Sequence, residues 1–128
     1  MPVTITALYA AILSLLMIAL AINVSMTRNR LKISVGDGGD QEMLRMIRLH
    51  GSAAEYVPIG VLLMGLYELN HGPPAALHAA GIALLVGRLS FVVALRASAR
   101  PGAARGLAAL LTWLTIAALA ALNLWQIR

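Results

Sequence analysis

Cysteine is absent from the 128 residues, which excludes disulfides, thiolate metal sites and a cysteine nucleophile. Charge is scarce: Asp, Glu, Lys and Arg make up 12% of the chain, against roughly 25% in soluble domains. Acidic side chains number five, and the three histidines, His50, His71 and His78, do not combine at metal-ligand spacing, so no metal is expected. Phosphate and calcium loops are missing too. The run Gly36-Asp37-Gly38-Gly39-Asp40 has too few acidic ligands, too closely spaced, for a helix–loop–helix calcium site, and no Gly-Lys-Ser/Thr follows it. It reads as a polar turn. Basic residues number ten, but they lie at the ends of apolar runs or inside them rather than on one soluble face. Nucleic acid is therefore not an expected partner.

What the chain does have is apolar surface. Hydrophobic residues are 60% of it and the mean hydropathy is +0.83, more than an aqueous fold of this size can hide, so lipid must be the solvent for most of the chain. A spanning helix needs about 20 predominantly apolar residues, and four segments qualify: 5–26, 44–67, 75–95 and 106–125. All must be helical, because lipid cannot satisfy free backbone N–H and C=O groups. The expectation is an all-α integral membrane four-helix bundle, a single domain over 1–128. The short connection 68–74 makes the second and third helices an antiparallel hairpin. The first run lacks the basic n-region and the cleavage site of a signal peptide and is too long for one, so it is expected to be retained. Arg28, Arg30 and Lys32 in the first connection, with Arg96, Arg100 and Arg105 in the third, place both connections in the cytoplasm and both termini outside it, against Arg128 alone. Tyr67 and Trp125 stand where interfacial anchors belong, and the deeper Trp113 reads as packing.

The second helix carries the most informative residues. At about 100° per residue, Arg45, Arg48, Ser52, Glu55 and Tyr56 fall on one stripe, with His50 nearly opposite. Each charge at mid-membrane depth costs roughly 2.5–3.5 kcal/mol. Arg45 can snorkel to the nearer interface. Glu55, about three helical turns in, must pair, face a wet cavity or carry a proton. Arg48 is seven residues away on the same helix, a separation that predicts no direct contact, so Arg88 of the third helix, sharing a face with Phe91 and Leu95, is the expected partner across the hairpin. Two readings follow. An Arg88–Glu55 pair pins two helices and does nothing else, or the surplus of cations over carboxylates awaits an anion. The second accounts for more of the charge. Tyr56 can serve as packing, and Pro58 as a tolerated local kink.

The run Arg45-x-x-Arg48-x-His50-Gly51-Ser52-x-x-Glu55-Tyr56-x-Pro58, with Gly36-Asp37-Gly38 ahead of it, Glu68 closing the helix and Gly87-Arg88 in the third helix, resembles the membrane-associated proteins in eicosanoid and glutathione metabolism (the MAPEG family), closest to its bacterial branch. The resemblance covers nearly the whole chain. It implies a left-handed four-helix bundle, a homotrimer, an inner-membrane location if the source is bacterial, and glutathione sites between subunits near the cytoplasmic side. It implies further that Arg48, Glu55 and Tyr56, with Ser52 on the same stripe, hold glutathione, that Arg88 lies near it, and that Arg28 or Lys32 reaches a carboxylate of the tripeptide. Arg105, or alternatively Arg100, matches the arginine that activates the thiol. Three departures stand out: Ser52 replaces a usual Asn, Phe91 and Leu95 replace tyrosines, and Pro101-Gly102 blurs the choice between the two arginines.

The implied function is a membrane-bound glutathione transferase or peroxidase, with glutathione as co-substrate, acting by thiolate attack on lipophilic electrophiles that arrive from the membrane lipids. The alternative is a non-catalytic scaffold or lipid-binding protein of the same fold. A small proton-coupled exporter fits worse, since the first helix has no ionisable residue before Arg28.

Overall fold

In the computed structural model, which describes residues 2–97 and 102–128, the chain forms four helices in order: α1 (Thr4–Leu31), α2 (Gln41–Leu69), α3 (Pro74–Ala97) and α4 (Ala103–Gln126). Each is long and apolar enough to cross a membrane. They pack as a bundle in which α2 touches all three other helices. The protein is an all-helical, multi-pass membrane four-helix bundle.

Every helix runs past the apolar segment that predicts it. Hydropathy stops counting at the first charges, but a helix continues as long as its backbone bonds are satisfied. Thus α1 goes on through Arg28 and Arg30, and ends where Lys32 turns left-handed (φ 56°, ψ 43°) and its N–H, like that of Ile33, bonds the Arg28 carbonyl. The Arg28 guanidinium then folds onto the turn, donating to the carbonyls of Ile33 (3.3 Å) and Gly36 (2.8 Å). Asp37 accepts from the Gly39 N–H, and Asp40 caps α2 by accepting from the Met43 N–H, each at 2.9 Å. Arg30 and Glu42 pair across the turn.

At the opposite end, α1 lacks a side-chain cap of its own. Glu68, at the end of α2, supplies it from 62 residues away: its two carboxylate oxygens accept from the N–H groups of Ile5 (3.0 Å) and Thr6 (2.9 Å). These are orphan donors of the first turn, and a carboxylate there also complements the positive end of the helix dipole. Glu68→Ala is expected to cost about 1–2 kcal/mol and to speed hydrogen exchange of the Ile5 and Thr6 amides while leaving α3 and α4 protected. Unchanged exchange at those two amides would remove Glu68 from this role.

The interior is built from Leu13, Met43, Leu49, Met64, Leu77, Leu84 and Leu119, all essentially inaccessible. Large apolar residues such as Leu15, Ile18, Leu62, Val93 and Leu124 point outward, the inverse of a water-soluble surface. Two aromatic expectations are corrected. Tyr67 lies at the end of α2 as expected but is buried rather than facing lipid, because its ring closes over Gly72, whose N–H bonds the Tyr67 carbonyl at 2.8 Å in the α2–α3 turn. Trp113 is 53% exposed, a wall residue rather than a core one. Trp125 does stand exposed at a helix end, with the Arg128 guanidinium 3.5 Å from its ring centroid.

Candidate functional site

The stripe on α2 is present as spaced, but its charges pair differently from expectation. Arg48 contacts Glu55 directly, Nη1 to Oε1 at 3.3 Å. Seven residues span a rise of about 10.5 Å, which two long side chains bridge most easily where nothing bulky stands between them. Gly51 is what stands there: a Cβ at that position would lie 3.2 Å from Arg48 Nη1. The missing side chain lets the guanidinium lie along the helix and meet Glu55 reaching back. Both side chains remain about half exposed, at 50% and 53%. Arg45 instead reaches across to the end of α3, donating to the Arg96 carbonyl at 3.3 Å.

Arg88 does not meet Glu55, which overturns the cross-hairpin pair. The residue is 2% exposed and its guanidinium is held by hydroxyls: Nη1 donates to Ser52 Oγ at 2.7 Å, while Nε and Nη2 donate to Thr112 Oγ1 at 3.2 and 3.0 Å. The rings of Tyr56 and Phe91 have their centroids 5.4 and 5.0 Å from its central carbon, close enough for cation–π attraction. One arginine thus ties α3 to α2 and α4. No carboxylate pairs with it among the described residues. Gly87 makes the arrangement possible, since a Cβ there would sit 2.7 Å from Thr112 Oγ1 and push α4 away. Gly87→Ala is expected to cost about 1–3 kcal/mol through overpacking, read as a lower melting temperature in detergent. A variant as stable as the parent would show that α3 and α4 need not approach so closely.

In front of Arg88 lies a crevice of about 320 Å³, within the size range of small-molecule sites. Arg48, Ser52 and Tyr56 line it from α2, Phe91 and Leu95 from α3, and Arg105, Ala109 and Trp113 from α4. Its lining combines the guanidinium groups of Arg48 and Arg105 with the apolar side chains of Phe91, Leu95 and Trp113. The spacing on α4, with Arg105, Ala109 and Trp113 four residues apart, puts one face of that helix along the cleft.

Of the residues singled out in the sequence, Arg48, Ser52, Tyr56 and Arg105 therefore share one cleft. Glu55 borders it through Arg48, and Arg88 lies behind it. Arg28 is not brought there within one chain; with Lys32 it lines a separate polar recess at the end of α1, and its own guanidinium is engaged by the turn. Arg100 lies outside the described residues. Sequence reasoning missed Thr112 and Trp113, because a threonine and a tryptophan in an apolar helix look like packing. The one available signal is their position seven and eight residues beyond Arg105, which returns them to its side of α4.

The profile of the MAPEG family matches residues 6–125 of the chain. Among curated proteins, the chain is similar to "Inner membrane protein YecN" of Escherichia coli strain K12, with 34% identity over 121 residues, 94% of this chain and 91% of that protein. The protein of the same name from Escherichia coli O6:H1 matches equally.

Proposed function

The chain belongs to the MAPEG family, and from that premise we propose that it is a membrane-bound glutathione transferase or peroxidase acting on lipophilic electrophiles. The observation that carries this reading is the crevice that unites Arg48 of α2 with Arg105 of α4 beside an apolar wall. Arg48 pairs with a carboxylate of the tripeptide, in the planar fork geometry that guanidinium favours. Glu55 accepts from its ammonium. The two side chains that neutralise each other within the chain so become a matched receptor for a zwitterion. Arg88, buried with no carboxylate of its own among the described residues, adds a fixed positive field behind Ser52 and Tyr56.

Arg105 stabilises the thiolate. A free thiol has a pKa of about 8.5, and a neighbouring guanidinium that lowers it by one pH unit favours the anion by about 1.4 kcal/mol. The thiol proton leaves to water. The sulfur lone pair then forms a C–S bond with the electrophile, and the displaced electron pair leaves on the leaving group or, in an addition, is protonated by water. The acceptor enters along Phe91, Leu95 and Trp113 from the lipid side. Positioning both partners converts a bimolecular encounter into an oriented attack.

The half-exposed Arg48–Glu55 pair on the outer surface of α2 is costly against acyl chains. A second copy covering it removes that cost, which supports an oligomer with sites between subunits, a homotrimer by the family resemblance, where Arg28 or Lys32 of a neighbour supplies a further cation. The distribution of basic residues supports an orientation with those connections toward the cytoplasm.

The test is turnover of glutathione with a chromogenic electrophile by the purified protein. Arg48→Ala is expected to raise KM for glutathione at least about tenfold, the loss of one charge-assisted contact. Wild-type kinetics in that variant would sink the assignment of Arg48. The non-catalytic scaffold is favoured by one observation, that Ser52 is 3% exposed and its Oγ already accepts from Arg88, which leaves only its O–H and one lone pair for a ligand. Absence of glutathione binding at millimolar concentration would decide for it.

A further inference from the structure

A second recess shares no residue with the crevice. Near one end of the bundle α1 and α3 are in close contact, where the Tyr9 ring covers Gly81 so closely that a Cβ there would be 2.4 Å from it. Toward the other end a groove of about 320 Å³ opens between the same two helices. Its walls are Leu16, Ala19, Leu20 and Asn23 of α1 and Val92 of α3, and Arg96 stands at its mouth. The α1 residues recur at three- and four-residue spacing, so they form one strip along the helix, parallel to the direction an acyl chain takes in a bilayer. Asn23 is the one polar residue of the strip, and its Nδ2 is engaged, donating to Met46 Sδ at 2.7 Å.

The mouth is cationic. Arg96 is exposed and pairs with no carboxylate among the described residues. Arg45 is drawn to the same helix end through the Arg96 carbonyl. Around this end Arg28, Arg30, Lys32, Arg45 and Arg96 face only Asp37, Asp40 and Glu42 as acids, and Glu42 is taken by Arg30. An apolar groove that ends in unneutralised guanidinium at the level of the interface is complementary to one kind of molecule: an anionic amphiphile with its tail along the helices and its phosphate at the mouth. Basic pockets between spanning helices bind anionic headgroups for this reason.

We propose that the α1–α3 groove is a binding site for one anionic phospholipid, its acyl chain lying along Leu16–Asn23 and its phosphate held by Arg96. Apolar contact alone cannot select a lipid inside a bilayer, since the surrounding tails are equally apolar. Selection therefore rests on the headgroup.

The experiment uses the full chain in detergent with phosphatidylglycerol or phosphatidylcholine carrying the same photoreactive acyl chain, followed by mapping of the labelled peptides. Phosphatidylglycerol is expected to label the α1 segment 16–26 and the end of α3 about fivefold more than phosphatidylcholine, the ratio that one basic residue near an anionic surface supplies. Arg96→Gln, which changes an exposed side chain and leaves the carbonyl bonded by Arg45 intact, is expected to bring the two lipids to parity. Ala19→Phe is expected to lower labelling by both. Equal labelling by the two lipids in the parent, labelling elsewhere, an unchanged preference in Arg96→Gln, or displacement of the label by a simple fatty acid as readily as by phosphatidylglycerol would each overturn the proposal.

Discussion

Arg105→Ala is expected to move the ascending limb of the pH–rate profile for glutathione conjugation upward by about one to two pH units, toward the ordinary thiol pKa of about 8.5. The sign follows from the ionisation. A guanidinium facing the sulfur lowers the thiol pKa, so under the proposed function the parent is expected to hold thiolate at neutral pH, and removing the charge should return the proton. Near pH 6.5 the variant should lose about 10–100-fold in kcat/KM, because each pH unit by which the limb moves removes about nine-tenths of the thiolate. Above pH 9 the two rates should converge, because both thiols are then ionised. Part of the loss is offset, since a more basic thiolate is intrinsically more nucleophilic. Arg105→Lys keeps the charge and should retain most of the effect. Initial rates from pH 6 to 9.5, with the thiolate absorbance of the bound tripeptide as a second readout, check this. A variant whose limb stays in place would hand the role to another group, and Arg100 would be the next to replace.

Arg88 yields the second large effect, and two substitutions separate what it holds from what it attracts. Arg88→Ala removes donors from Ser52 and Thr112 and empties a volume that was 2% exposed. Loss of buried hydrogen bonds and packing together is expected to cost about 3–5 kcal/mol, enough to lower the yield of folded protein. Arg88→Met nearly fills the space without the charge. Thr112 already lies 3.4 Å from the Ala108 carbonyl and can fall back on that bond, so the methionine variant should fold. Replacement of a buried charge by an apolar residue of similar size is often tolerated for this reason. If the positive field behind Tyr56 draws the anionic tripeptide, this folded variant should still lose about tenfold or more in glutathione affinity. Equal affinity in a folded Arg88→Met would make Arg88 a helix tie only. The measurement is calorimetric affinity alongside the melting temperature, so that the two roles are read separately.

Much of the fold is legible in the sequence because lipid leaves the backbone a single solution. Four apolar runs in a chain so poor in charge can only be four helices, and basic residues mark the first and third of the connections between them. The helix ends are less legible: Arg28 and Arg30 stop a hydropathy count, yet α1 continues through them until Lys32 adopts a left-handed backbone. Long-range capping is invisible too, since nothing around Glu68 indicates that it serves the first turn of α1.

At the site, periodicity places Arg48, Ser52, Glu55 and Tyr56 on one stripe. It does not identify who pairs with whom. The Arg48–Glu55 contact is eased by the absent Cβ at Gly51, and sequence spacing counts residues rather than the gaps between them. The partners of Arg88 are hydroxyls on two other helices, and a threonine in α4 carries no mark that it faces a guanidinium. Membrane interiors favour such quiet partners, because a hydroxyl can satisfy a donor without adding a second charge to desolvate.

The central claim, that the cleft between α2 and α4 receives an anionic thiol, is tested most directly by determining the structure of the protein with millimolar glutathione. The expected result is the tripeptide in the cleft, with one carboxylate on Arg48 drawn away from Glu55 and the sulfur facing Arg105. A cleft without glutathione, with Arg48 still resting on Glu55, would contradict it.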